Sequence, residues 1–137
     1  MLRKKKKTRY TEDNLVAYFN QIKRIPLLSA EDEQELSKSI QKGDESAKRK
    51  LIEANLRLVV KIARGFVTSD VLLLDLIQEG NIGLMKAAEK FDYKKNVRFS
   101  TYAAWWIKQA IVRSLSNKKR TIRLPHRKEE AIKRIQK

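Results

Sequence analysis

The chain has 137 residues and a formal net charge of +16, set by 32 Lys and Arg against 16 Asp and Glu, which suits a single domain with a modest core and an anionic partner. It has no cysteine and one histidine, His126, which excludes a disulfide framework, a thiolate metal site and a histidine metal cluster. The start MLRKKKKTRY is basic with no apolar segment behind it, and no apolar run reaches the ~18 residues of a membrane span, so neither a secretory signal nor a membrane anchor is expected and a cytosolic protein is the default.

Residues 1–10 hold six basic residues and no acid, and read as a disordered basic arm able to touch phosphates without sequence preference. A first helix is expected over 11–25, where Leu15, Tyr18, Phe19 and Ile22 recur at helical spacing behind Thr11 as cap, and Pro26 breaks it. Ser29 begins a second helix with Asp32 and Glu33 in its first turn, where carboxylates suit the positive dipole end; Leu36 and Ile40 face inward and Gly43 ends it. Asp44 caps a long third helix over 45–64, closed by Gly65. Residues 67–70 form a turn, and Asp70 caps a fourth helix over 71–90 whose core stripe is Leu73, Leu76, Ile77, Leu84, Ala87 and Ala88. Gly80 and Gly83 weaken that helix by about 1 kcal/mol each against alanine, and permit a close helix approach. Asp75, Gln78 and Glu79, continued by Ile82 and Met85, make an acidic–amide patch on one face: a solvated surface, or a dock for a basic partner helix.

A loop over 92–99 carries Lys94, Lys95 and Arg98, and a fifth helix follows over 100–116, with Ser100 as cap and Ser116-Asn117 as its end. On that helix Tyr102, Trp105, Trp106, Gln109 and Arg113 share one face. Such a stripe fits a core. Threaded with Lys94, Lys95, Arg98, Lys108 and Arg113, it equally fits a surface that stacks bases and holds phosphates. Residues 11–93 hold 12 basic and 14 acidic residues, whereas 94–137 hold 14 basic residues and two acids, so the positive field begins inside this stretch. After Lys118-Lys119-Arg120, Pro125 opens a last segment to Lys137 that reads as a basic helix with a thin apolar edge. No strand pattern or repeat stands out, so the class is all-α. No Gly-rich phosphate loop, Ser/His/Asp set or paired carboxylates suggest an enzyme, and no cofactor is expected.

The stretches EANLRLVVKIA (53–63), LDLIQEGNIGLMKAAEKFDY (74–93), RFSTYAAWWIKQAI (98–111) and RTIRLP (120–125), in that order and spacing, resemble the bacterial sigma-70 family of transcription initiation factors. The preceding DNLVAYFNQIKRIPLLSAEDEQELSKSI resembles the segment that leads into the second domain of primary-like members, so the domain is expected over 11–125, with 126–137 as a tail or the start of a third domain.

The resemblance implies a compact multi-helix sigma domain in a bacterial, nucleoid-associated setting. Its partners would be the β′ coiled coil of core RNA polymerase and the melted non-template strand of the promoter −10 element, with an anti-sigma factor as a further partner. Carried over by position, Asp75, Gln78, Glu79, Asn81 and Met85 would contact polymerase. Tyr102 would stack on the flipped adenine, Trp105 and Trp106 would sit where duplex gives way to open strand, and Gln109 would lie near the first base pair. Asn55 and Leu58 would help form the pocket for a second flipped base. Lys95, Arg98, Lys108, Arg113 and Arg120 would hold phosphates, with Phe99 and Arg123 also on the DNA-binding surface. Three departures stand out. Val97 replaces an aromatic residue in one wall of the adenine pocket, Val112 replaces a threonine beside Gln109, and Arg127 falls where an extended −10 histidine is common, with His126 one place early. A sigma-like decoy that occupies β′ without productive promoter recognition is the alternative.

Overall fold

The computed structural model describes residues 14–121, with side chains to Asn117. The expected basic arm, the Thr11 cap, Arg123 and the segment after Pro125 lie outside the described residues, and of Arg120 only the helical backbone is described. Six helices are present among the described residues: α1 over 14–23, α2 Ala30–Gln41, α3 Glu45–Glu53, α4 Leu56–Arg64, α5 Leu73–Lys90 and α6 Phe99–Thr121. The only extended pairing among them is an isolated bridge between Thr68 and Val71, in keeping with the all-α class.

Several boundaries follow from local chemistry as expected. Ser29 and Asp32 form a reciprocal capping box at α2: the Asp32 N–H donates to Ser29 Oγ at 3.1 Å and the Ser29 N–H to Asp32 Oδ2 at 3.3 Å. Gly43 follows α2 at φ 92°, a left-handed conformation that favours glycine. Asp44 caps α3 by accepting from the Ser46 and Ala47 N–H groups at 3.0 and 3.2 Å.

Four expectations are corrected. The single helix over 45–64 is two helices, broken at Ala54–Asn55. Asn55 Nδ2 donates to the Leu51 carbonyl at 2.8 Å, while the Asn55 N–H turns to Ile52 at 3.0 Å, so the side chain takes the bond a continuous helix would give to the backbone. Asp70 is not at the N-cap position of α5, which begins at Leu73 behind an extended Leu72, and the isolated Thr68–Val71 bridge lies in the preceding turn. Ser100 is not the cap of α6. The helix starts one residue earlier, and the Phe99 N–H donates to Glu33 Oε1 at 3.4 Å. Ser116-Asn117 does not end α6, which continues to Thr121. Serine and asparagine cost only about 0.5 kcal/mol each in a helix interior, too little to stop one without glycine or proline.

α5 and α6 are the central pair. Leu76, Ile77 and Leu84 from α5 and Phe99, Ile107, Ile111 and Val112 from α6 are fully buried, with Leu51 of α3 and Val59 of α4 joining them. Each such side chain contributes roughly 1.5–3 kcal/mol of burial. The glycines of α5 permit close packing on both neighbours: a Cβ on Gly80 would lie 2.7 Å from Val59 Cγ1 of α4, and one on Gly83 would lie 2.9 Å from the Trp106 carbonyl carbon of α6. α2 and α3 pack on the flank of this pair, where Lys48 and Glu89 form an ion pair at 2.6 Å.

Candidate nucleic-acid interface

α6 carries two stripes. Phe99, Ala103, Ile107 and Ile111, spaced by four, are buried, and they fix the rotation of the helix. Tyr102, Trp106 and Gln109 are then half-buried, while Trp105, Lys108 and Arg113 are exposed. Trp105 is 57% exposed, which answers the choice between core and surface at that position.

The aromatic rings form a continuous series from core to solvent. Phe99 meets Phe91 edge-on at 5.2 Å and 81°, and Phe91 lies 5.6 Å from Tyr102. Tyr102 lies 6.2 Å from Trp106, which meets Trp105 at 5.3 Å and 87°. Offset and edge arrangements of this kind suit the ring quadrupoles. The Tyr102 hydroxyl donates to the Lys90 carbonyl at 3.4 Å, and the Lys90 ammonium sits 5.4 Å from the centre of the Trp106 ring. The outer rings are thus held in place before any ligand arrives. Phe99, expected on the DNA-binding surface, is corrected to a core residue: it is fully buried and supports the series from beneath.

The cations differ in what they already hold. Arg98 is half-exposed but already bonded to protein, its Nε donating to Glu33 Oε1 at 2.7 Å and its NH2 to the Leu28 carbonyl at 3.0 Å. Lys94 and Lys95 are exposed on the loop, beside Val97. Val112, by contrast, is packed against protein at 2% exposure. Asn55 is buried, with one amide hydrogen given to Leu51, and Leu58 is half-buried against the core.

On α5, Gln78, Ile82 and Met85 are exposed, and Asp75, Glu79 and Asn81 are half-buried. Asn81 Oδ1 is buried without a hydrogen-bond partner. A cavity of about 340 Å³ lies between α5 and α6, and Glu79 and Ile82 share its lining with Trp105, Trp106, Gln109 and Arg113. The acidic–amide patch and the aromatic stripe therefore border one groove. A volume of this size is enough for a planar ring. Sequence reasoning did not single out Glu33 as a site residue. In sequence Glu33 is a first-turn carboxylate suited to the positive dipole end of its own helix, and its burial depends on partners 65 and 66 residues away.

Among the described residues no helix is long and apolar enough to cross a membrane, and no cluster of acidic or histidine side chains is arranged to hold a metal ion. Residues 51–121 match the sigma-70 region 2 family, and residues 13–46 match region 1.2 of sigma-70 factors. The chain is similar to the RNA polymerase sigma factor SigA of a Bacillus species, at 57% identity over 123 residues, or 90% of this chain and 33% of that one. It is also similar to SigA of Clostridium acetobutylicum, at 53% identity over 124 residues, again 90% of this chain and 33% of the relative. The chain thus spans about a third of the length of these curated relatives. With region 2 matched along both central helices and region 1.2 along the helices before them, this chain belongs to the sigma-70 family.

Proposed function

We propose that this domain docks on core RNA polymerase through the α5 face and captures the melted non-template strand of the promoter −10 element on the α6 stripe. The observation that carries the reading is the ring series from Phe99 to Trp105, which brings an exposed indole and a half-buried phenol to the surface on a rigid base. Asp75, Gln78, Glu79, Asn81 and Met85 supply the polymerase contact, and the β′ coiled coil is the surface they fit by family resemblance. Tyr102 stacks on a flipped base, Trp105 and Trp106 cover the fork, and Gln109 lies toward the first base pair. Lys95, Lys108 and Arg113 neutralise phosphates. Asn55 and Leu58 serve a second base through their remaining polar and apolar surface.

The energetics are self-consistent. Extruding a base costs a few kcal/mol. Each stacked base returns about 1–3 kcal/mol, and phosphate neutralisation adds affinity without sequence preference. Melting then proceeds by preferential binding of the open strand, with no fuel.

The test is binding to a single-stranded −10 oligonucleotide, consensus against scrambled, with and without core polymerase and at two salt concentrations. The expected result is a consensus preference that sharpens with core polymerase and survives the higher salt. Core binding with no preference would overturn the reading and leave a decoy that occupies the polymerase.

A further inference from the structure

α2 buries two polar side chains one turn apart, Glu33 and Ser37, and both reach the same loop. Ser37 Oγ donates to the Phe91 carbonyl at 3.5 Å, where the loop begins. Glu33 Oε1 accepts from Arg98 Nε at 2.7 Å and from the Phe99 N–H at 3.4 Å, where the loop ends and α6 starts. Arg98 also donates to the Leu28 carbonyl at 3.0 Å, just ahead of α2. Residues 92–98 span these anchors without a helix or strand.

The physical chemistry favours this arrangement strongly. The Phe99 N–H heads α6 and has no acceptor within its own helix. A carboxylate there satisfies it and faces the positive end of the helix dipole. Glu33 is only 3% exposed, and a carboxylate so buried is costly unless it is paired and hydrogen-bonded. Arg98 and the Phe99 N–H meet that need together. Both ends of the loop then bear on one ring, because Phe91 packs on Phe99 at 5.2 Å and on Tyr102 at 5.6 Å.

We propose that Glu33 is a positioning residue for strand capture: it caps α6 from a separate helix and, with Ser37, sets where Tyr102 stands. What the Tyr102 platform binds rests on the function proposed above, but the clamp does not. Glu33 lies in the segment matching region 1.2 and its partners in the segment matching region 2, so the reader helix is completed by a side chain from outside its own region.

The experiment uses Glu33→Ala and Glu33→Gln in the full chain. Amide hydrogen exchange is followed in the free protein, then affinity for core polymerase, then affinity of that complex for the single-stranded −10 oligonucleotide. Glu33→Ala is expected to speed exchange at Phe99–Tyr102 about tenfold relative to Ile107–Ile111, and to weaken oligonucleotide binding about tenfold, with core affinity changed less than about twofold. Glu33→Gln keeps an acceptor for the Phe99 N–H and is expected to show about a threefold effect, which decides the matter if the alanine variant does not fold. Unchanged local exchange would overturn the clamp. So would lost oligonucleotide binding with unchanged exchange, since Glu33 would then touch the strand itself. Exchange raised uniformly along α5 and α6 would overturn it too, as a general loss of stability. A wild-type complex with no consensus preference would sink the functional reading, while the exchange data would still judge the clamp.

Discussion

Gly83 lies against the backbone of Trp106: a Cβ added to Gly83 would sit 2.9 Å from the Trp106 carbonyl carbon and 3.0 Å from Ala110 Cβ. The helix bearing the acidic–amide patch thus touches the aromatic stripe at its backbone. Gly83→Ala is therefore expected to destabilise the protein by about 1–3 kcal/mol through overpacking, since backbone cannot swing aside as a side chain can. Gly43→Ala meets nothing within 4 Å and carries only the left-handed backbone cost of about 1–2 kcal/mol. Gly65→Ala, with only an ordinary contact at 3.4 Å to the Ile62 carbonyl oxygen and no positive φ, is expected to be neutral or stabilising by up to about 1 kcal/mol. Urea unfolding of the three variants checks the order, and a Gly83→Ala protein as stable as Gly65→Ala would contradict the close packing.

The two tryptophans should separate in experiment. Trp105 is exposed at the end of the ring series, whereas Trp106 packs against the core, Tyr102 and the Lys90 ammonium. Trp105→Ala is expected to lose about 1–3 kcal/mol of strand affinity with little change in stability. Trp106→Ala is expected to lose both, with a stability cost of about 2 kcal/mol or more. Oligonucleotide titration beside urea unfolding distinguishes them, and equal stability losses would show that the two indoles are packed alike.

What could be read from the sequence was what repeats locally. The spacing from Tyr102 to Arg113 gave the outer stripe of α6, and Ser29, Gly43 and Asp44 marked helix ends by their own chemistry. Phe99 comes to the DNA-binding surface only through the family resemblance, and its full burial places it in the core. The spacing by four of Phe99, Ala103, Ile107 and Ile111 is the local signal that matches the buried face of α6. The break at Asn55 was not legible, since apolar spacing runs on through it and the interruption depends on one side-chain bond to Leu51. Glu33 was illegible for a different reason. Nothing local separates a buried first-turn carboxylate from a solvated one, and its partners arrive only when α6 docks on α2.

Glu89 gives the fold a small pH dependence. The hydrogen bond and charge of Lys48 hold its carboxyl below the usual carboxylate range, burial opposes this, and Lys90 and Lys86 add to the lowering. A carboxylate whose folded pKa is depressed stabilises above its unfolded pKa, and that contribution is lost as pH falls through the folded value. The stability advantage of wild type over Glu89→Gln is therefore expected at neutral pH and should shrink on acidification through the carboxylate range. Urea midpoints across that range measure it, and a difference independent of pH would mean that the Lys48 pair does not persist in solution.

Arg98 and Arg113 look alike in sequence and differ in bonding, and salt dependence should tell them apart. Arg113 is exposed on the wall of the groove beside Trp105, Trp106 and Gln109. Each phosphate neutralised on a single strand contributes about 0.7 to the slope of log affinity against log salt. Arg113→Ala is therefore expected to reduce that slope by about 0.7 while leaving stability nearly unchanged. Arg98 has its Nε on Glu33 and its NH2 on the Leu28 carbonyl. Arg98→Ala strips a buried carboxylate of its charged partner, for which about 3–5 kcal/mol is the range seen when a fully buried pair is broken. Half of the Arg98 side chain is exposed, so solvent screening brings the expected stability loss down to about 1–2 kcal/mol. Oligonucleotide titrations at several salt concentrations, paired with unfolding curves, read both quantities. An Arg98→Ala protein with wild-type stability and a reduced salt slope would place that guanidinium on the strand instead of on Glu33.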